Sequence, residues 1–265
     1  AGADWIKGTF DTFSRDEAGV PTITYRPKGG DKMETLKGRF VIGADGARSK
    51  VGKQTVKASE KIKSVFAYHE IVRAPDPDDA TPRYGARRCD VYYDGRFSPD
   101  FYSWVFPHGE TMSIGTGSAH KGFSLRNSVS RLREANGLDH LEMVRHEGAP
   151  LPLKPAKKWD NGRDVVLAGD AAGVVAPASG EGIYYAMLCG QLAAEAVELA
   201  LVTGRASALA QARKRFMKEH GKVFFILGLL QRFWYTTDKR REQFVKICRD
   251  PEVQRQTWEA YMNKK

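Results

Sequence analysis

Twice in this chain a short apolar run stops abruptly at a glycine and an acid, and the two occurrences lie about 125 residues apart. The first is Phe40-Val-Ile-Gly-Ala-Asp-Gly-Ala-Arg-Ser-Lys-Val51. The second is Val165-Val-Leu-Ala-Gly-Asp-Ala-Ala-Gly-Val-Val-Ala-Pro-Ala-Ser-Gly-Glu-Gly-Ile183. Each reads as a strand ending in an acidic turn, and the second continues through a small-residue loop containing Pro177 into a long helical pattern. The carboxyl ends of strands are where α/β sheets bind ligands. Asp45 and Asp170 supply carboxylates there, and Asp170 suits the hydroxyls of a sugar-like chain. Gly46 and Gly169 form the turns, and Arg48 adds a cation. Gly180 and Gly182 let backbone N–H groups come close to a planar ligand. The helix opening at Ile183 carries partial positive charge at its start. Either motif alone also suits an ordinary glycine-rich strand–turn–helix unit. The pair, in this order, points to a place for a large polar cofactor.

With 265 residues the chain has room for one large or two medium domains. No uninterrupted run of 18 or more apolar residues occurs, so no transmembrane helix is expected. No signal-peptide pattern opens the chain. Cys89, Cys189 and Cys248 are far apart and lack metal spacing, which implies no metal site and reduced thiols in a cytoplasmic protein. The net charge of +10 is concentrated at one end: residues 205–265 hold 15 Lys and Arg against 6 Asp and Glu. Such a segment suits an anionic lipid surface or an acidic partner. No recognition motif accompanies it, so nucleic-acid binding is not expected.

Strand-like runs at 22–25 and 35–42 flank a turn-rich connection. Runs at 65–73, 89–93, 101–106 and 111–117, with turns at 94–95 and 108–110, predict a mostly antiparallel sheet lying between the two acidic motifs. Residues 75–79 read as a solvated loop. A helix is expected over 124–136, capped by Ser124 and followed by Gly137. Residues 159–163 form a polar turn. The pattern at Ile183, Met187, Leu192, Val197 and Leu201, filled in by alanines and ended by Gly204, predicts a buried helix. Residues 207–248 read as helical, with a break near 235–238.

Tyr102, Trp104 and Phe106 alternate with smaller residues, so in a strand all three project from one face. Gly115 and Gly117 follow, and are expected to open that face locally. The result is either an aromatic core stripe or an apolar wall suited to a long hydrocarbon. Residues 223–235 are aromatic-rich and flanked by Lys214, Arg215, Lys218, Lys222, Lys239, Arg240 and Arg241. They read as a helix packed on the cofactor domain, or one resting on an anionic membrane with Trp234 and Tyr235 at the interface.

GADGxRS together with GDAAGxxxPxxGEGI resembles the FAD-binding motifs of the para-hydroxybenzoate hydroxylase-like flavoproteins. The sequence YxWxFP followed by GxG, with the longer stretch 89–109, is similar to geranylgeranyl reductases, nearest to the branch acting in chlorophyll and bacteriochlorophyll synthesis. The similarity runs through most of residues 40–265. The resemblance implies an α/β, two-domain fold: a Rossmann-like FAD-binding domain with an inserted antiparallel substrate sheet and a C-terminal helical segment. The expected boundaries are 1–55 and 159–204 for the FAD domain, 56–158 for the sheet and 205–265 for basic helices. It implies that Asp170 binds the flavin ribityl chain and that the backbone at Gly182-Ile183 faces the pyrimidine end of the ring system. Asp45, Gly46, Arg48, Gly169, Pro177 and Gly180 complete the expected cofactor site, and Tyr102, Trp104, Phe106, Gly115 and Gly117 the substrate site. The implied function is reduction of geranylgeranyl C=C bonds to phytyl, on a pigment or on the free diphosphate, with NADPH as transient donor and peripheral contact with a photosynthetic membrane. A flavin monooxygenase acting on an aromatic or terpenoid would share both FAD motifs, and a non-catalytic lipid- or pigment-binding protein would share the wall. The family's N-terminal strand–GxGxxG–helix turn is not seen here, so the chain is expected to be a fragment lacking its first βαβ unit and to need that segment for a full FAD site. Cys89, His108 and an ordered water are the candidate proton sources.

Overall fold

The computed structural model describes residues 2–57, 62–76, 85 and 87–262. Most of the loop expected at 75–79 lies outside these residues. The chain divides into two compact units, Ala1–Ser64 with Leu151–Phe225, and Val65–Pro150 with Ile226–Lys265.

The first unit opens with an antiparallel meander of β1 (Gly8–Arg15), β2 (Pro21–Pro27) and β3 (Glu34–Lys37). The apolar run at 35–42 therefore does not form one strand. It breaks at 38–40 into β3 and β4 (Val41–Gly43), which belong to different sheets. Strand β4 pairs in parallel with a later strand, Val165–Leu167, with Val41 opposite Val165 and Gly43 opposite Leu167. Val165, Val166 and Leu167 are fully buried, as expected for a strand covered on both faces. The turn before that strand is pinned to β1: Arg15 Nε and Nη2 donate to the two carboxylate oxygens of Asp164 at 2.8 and 2.7 Å. Asn161 Nδ2 adds a third hydrogen bond, at 2.9 Å. Burial pushes the Asp164 carboxyl up, but the hydrogen bonds from Arg15 and Asn161 outweigh it and hold it below the usual carboxylate range.

Helix α1 (Lys50–Thr55) follows the first acidic turn. The longer helix Ile183–Thr203 follows the second, and Gly204 ends it at φ +67°. The face this long helix buries differs from the expected one. Tyr185, Cys189, Leu192, Ala193, Ala196 and Ala200 are buried, whereas Ile183 is 80% and Met187 73% exposed, and Leu201 is exposed as well. Alanine and cysteine let neighbouring backbone approach closely, so the small residues take the inner face and the bulky ones are left outside. By length and composition this helix is apolar enough to cross a bilayer. Core helices of folded domains pass the same length-and-composition test, and the expectation of no transmembrane helix rests on the separate observation that no uninterrupted apolar run is long enough.

The second unit is built on a five-stranded sheet. Its strands are β5 (Ser64–Arg73), β6 (Asp90–Tyr92), β7 (Ser103–His108), β8 (Thr111–Ser118) and β9 (Met143–Pro152), in the order β6-β7-β8-β5-β9. The strand Val165–Leu167 is accordingly β10. Helix α2 (Leu125–Ala135) covers one face of the sheet, capped by Ser124 Oγ accepting from Asn127 N. Val72, Val105, Met112 and Ile114 from the sheet and Val129, Leu132 and Leu138 from the helix side are all fully buried. A nearly buried ion pair anchors α2: Arg133 Nη1 lies 2.7 Å from Glu70 Oε2, and the same guanidinium donates to the carbonyls of Leu138, Asp139 and Leu141.

The long helix of the first unit is α3. The expected C-terminal helices are α4 (Gln211–Trp234), α5 (Asp238–Ile247) and α6 (Pro251–Met262), with the break at 235–237. The division between units falls within α4, after Phe225. In the first unit, Phe216 and Phe224 of α4 pack on Tyr185 of α3, with ring centroids 5.9 and 4.9 Å away. In the second unit, Arg241 of α5 is buried and donates to the carbonyls of Pro99 and Tyr235 and to Asp238. Asp238 Oδ1 in turn accepts from Gly95 N at 3.1 Å, so α5 is clasped to the loop before β7.

Candidate functional site

Parallel pairing of β4 and β10 carries both acidic turns to one edge of the pair. The chain leaves Gly43 and Leu167 side by side, and Ala168 N donates to Gly43 O at 2.9 Å. Asp45 and Asp170 therefore follow the carboxyl ends of neighbouring strands in the same unit.

The two acids differ in their local duties. Asp45 is exposed and seats the start of α1: Ser49 Oγ donates to its Oδ1 at 2.5 Å and Val51 N to its Oδ2 at 3.1 Å, while Ser49 Oγ accepts from Gly52 N. Gly46 turns the chain and Arg48 is exposed. Asp170 is half-buried, and no described residue donates to its carboxyl. Burial raises its pKa above the usual carboxylate range. Gly169 and Asp170 open a short 3₁₀ turn directly above α3, with Cys189 beneath it. Burial pushes the Cys189 thiol up to about 12, against a hydrogen bond with the Gly169 backbone, so this cysteine is an inert packing group.

Loop 177–182 folds back on itself, with Gly180 N donating to Ala176 O and Ala176 N to Glu181 O. Pro177 is buried and Gly180 turns the chain. Gly182 is the N-cap of α3, and no side chain caps its first turn. A Cβ on Gly182 would sit 3.6 Å from Asp170 Oδ1 and 3.5 Å from Val175. The half-buried carboxyl thus lies beside an uncapped helix start, with Ile183 exposed next to it. Acceptor oxygens on one side and backbone N–H donors on the other match a ligand bearing both hydroxyls and electron-rich ring edges.

In the second unit, the sheet face opposite α2 carries Tyr102, Trp104 and Phe106, all partly exposed. Ring centroids are 5.8 Å apart for Tyr102 and Trp104, and 6.2 Å for Trp104 and Phe106. Strand parity predicted this wall. The opening expected at the glycines is absent. A Cβ on Gly115 would meet the Trp104 indole at 2.2 Å, and one on Gly117 would meet the Phe101 ring at 2.7 Å. Both glycines are small so that rings can lie across them, and the space is filled rather than free.

Sequence reasoning missed the polar chain behind Trp104. Its Nε1 donates to Ser113 Oγ at 3.0 Å, and Ser113 Oγ pairs with His69 Nδ1 at 2.9 Å. His69 Nε2 lies 3.6 Å from Glu147 Oε2 on β9, and Arg145 pairs with the same carboxylate. His69 stands opposite Gly115 in the sheet, as Trp104 does from the other side. The only advance signal was the even spacing of His69 along its strand. Cys89 and His108, the side chains first considered as proton sources, are exposed.

The family described as the FAD binding domain matches residues 6–208 of this chain. This chain belongs to the FAD-binding domain family. The motif resemblance is thereby borne out, and FAD is the cofactor of the family. Over its whole length the FAD-binding chain is 52% identical to a geranylgeranyl diphosphate reductase of Rhodobacter capsulatus, covering 66% of that protein. It is similar to the solved structure of a geranylgeranyl bacteriochlorophyll reductase-like protein from Thermoplasma acidophilum. The TM-score is 0.74 at 23% identity, over 89% of this chain and 60% of the other. It also shares its fold with p-nitrophenol 4-monooxygenase from Pseudomonas putida, with a TM-score of 0.62 at 18% identity, over 96% and 66% of the two chains. The chain spans between 58% and 66% of the length of three curated geranylgeranyl diphosphate reductases.

Proposed function

We propose that the protein containing this chain is a flavin-dependent reductase that saturates C=C bonds of a geranylgeranyl chain, with a nicotinamide donor such as NADPH restoring the reduced flavin. The carrying observation is the pair of acidic turns at adjacent strand ends. Asp170 would hold the flavin's ribityl hydroxyls, and the Gly182-Ile183 backbone would meet the pyrimidine edge. Asp45, Gly46, Arg48, Gly169, Pro177 and Gly180 shape the surrounding turns. Two things support prenyl reduction in particular: the name carried by the relative at 52% identity, and the aromatic wall on the second unit.

Bound FAD, once reduced, supplies a hydride. An isolated trisubstituted alkene is unpolarised, so hydride can be taken up only as a proton is delivered: protonation of the less substituted carbon puts positive charge on the more substituted one, and that carbon takes the hydride. Water must be kept away while this happens. The faces of Trp104 and Tyr102 stabilise a developing cation through their quadrupoles. Burial, with Tyr93 nearby, raises the Tyr102 phenol well above its usual range, so the ring stays neutral in its role. The Ser113 hydroxyl, backed by His69, fixes the indole's orientation. Peripheral contact with an anionic membrane, a photosynthetic one in this reading, is part of the proposal; what favours it is that Lys214, Lys218 and Lys222 line up at helical spacing with exposed Phe225 and Leu229 on α4.

The test is mass analysis of prenyl products from full-length protein, reduced flavin and either geranylgeranyl diphosphate or a geranylgeranyl pigment. Products heavier by two hydrogens per double bond are expected. Incorporation of an oxygen atom, or purified full-length protein that binds no flavin, would overturn the reading.

A further inference from the structure

The aromatic wall does not end at β7. Within the second unit the Tyr102 ring centroid lies 6.1 Å from that of Tyr93, just past β6. Tyr93 is 5.0 Å from Phe244 on α5, Phe244 is 6.0 Å from Trp234 at the end of α4, and Trp234 is 4.7 Å from Phe233. From Trp104 to Phe233 each ring in this series keeps part of its surface exposed. Behind the series lie buried rings, Phe101 stacked 4.4 Å from Tyr102 and Tyr235 5.2 Å from Tyr93, so the series is the partly exposed rim of a packed aromatic cluster. Arg241 holds the series together at its bend, since it clasps α5 to the loop that leads into β7. At the far end the guanidinium of Arg240 stacks 4.4 Å from the Phe233 centroid, with Arg232 and Lys239 exposed beside it.

We propose that this connected row of rings is the seat of the whole prenyl chain, and that its cationic end at Arg240 takes the anionic head of a prenyl diphosphate. The proposal rests on the prenyl-reductase reading above and deepens it by assigning an orientation. The head lies at Arg240 and Phe233, the middle isoprene units at Phe244 and Tyr93, and the distal units at Tyr102 and Trp104. Hydrocarbon laid on aromatic faces gains by apolar burial. A diphosphate gains charge-assisted hydrogen bonds from guanidinium groups. Chain length and head charge are thereby read at opposite ends of one track.

The test is calorimetric binding to the full-length protein of geranyl, farnesyl and geranylgeranyl diphosphates, and of uncharged geranylgeraniol. Phe233→Ser is expected to weaken all three diphosphates about 10-fold, because the ring lies at the head end, while Phe233→Leu keeps most of the affinity. Arg240→Gln is expected to weaken every diphosphate about 10-fold and leave geranylgeraniol unchanged. Trp104→Leu is expected to weaken the geranylgeranyl compound and spare the geranyl one. Wild-type affinity for all diphosphates in both Phe233→Ser and Arg240→Gln would overturn the proposal. So would a pattern in which these variants lose only binding to phosphatidylglycerol vesicles, since that would make the basic end a lipid contact. Intact binding with this pattern but no hydrogenated product would count against the reductase reading alone. Hydrogenated product with no effect of the variants on binding would count against the track alone.

Discussion

Gly182 and Asp170 separate folding from cofactor binding at single positions. Gly182 has φ −124°, which any residue adopts, and a Cβ there would find only ordinary contacts. Gly182→Ala should therefore melt within about 1 °C of the parent, yet bind FAD about tenfold or more weakly if its backbone faces the ring; titration of apoprotein with FAD checks this. Asp170 has the opposite profile from a stabilising acid. Its folded pKa lies above the unfolded value, so its contribution to stability is greatest at low pH and is lost as pH rises through the folded value. At neutral pH Asp170→Asn should keep or raise Tm while weakening FAD by about 1.5–3 kcal/mol, the range for a hydrogen bond to a charged group. Trp104→Leu should lower turnover by more than it lowers FAD affinity, and equal losses would mark Trp104 as purely structural. The acids and glycines of both turns were legible in the sequence because an apolar run ending in such residues has few other uses. His69 was not, because a histidine at strand spacing looks the same whether it faces solvent or an indole.

At the level of elements, α2 depends on one buried charge pair. Arg133→Ala would strip Glu70 of its cation beneath the helix and leave that carboxylate only the Tyr68 hydroxyl, at a cost of about 3–5 kcal/mol. Urea unfolding should show that loss, and restoring a long cation with Arg133→Lys should recover only part of it, because one ammonium cannot serve Glu70 and three carbonyls together. Strand alternation and helix caps made β5 to β8 and α2 readable. Strand β9 was missed because its residues 143–149 are all exposed, leaving no alternating pattern to detect. The inner face of α3 was misread for a related reason. Hydropathy ranks isoleucine and methionine above alanine, but close packing ranks them by size, and in α3 size decided.

Across the whole molecule, the sequence predicted two acidic motifs around an antiparallel sheet, and the structure has β4 and β10 paired in one unit with that sheet in the other. The order of motifs along the chain carried that information. Which half of α4 belongs to which unit had no signature in composition. The acid limb of stability should be governed by carboxylates held below their usual range, Asp164 through Arg15 and Asn161, and Asp94 through Arg96. For such groups the folded pKa lies below the unfolded one, so their stabilisation is present above the unfolded value and disappears as pH falls through the folded one. Asp164→Asn should therefore lower Tm at pH 7 and flatten its decline between about pH 5 and 3, as measured by thermal melts across a buffer series.

The indole lying across Gly115 ties two positions on different strands into a single inheritable choice. Any side chain at 115 takes the volume now held by the ring of Trp104, so this glycine of β8 and the largest residue on β7 must change together or not at all. A library randomised at both sites and selected for folding should return complementary pairs, with glycine retained wherever tryptophan is.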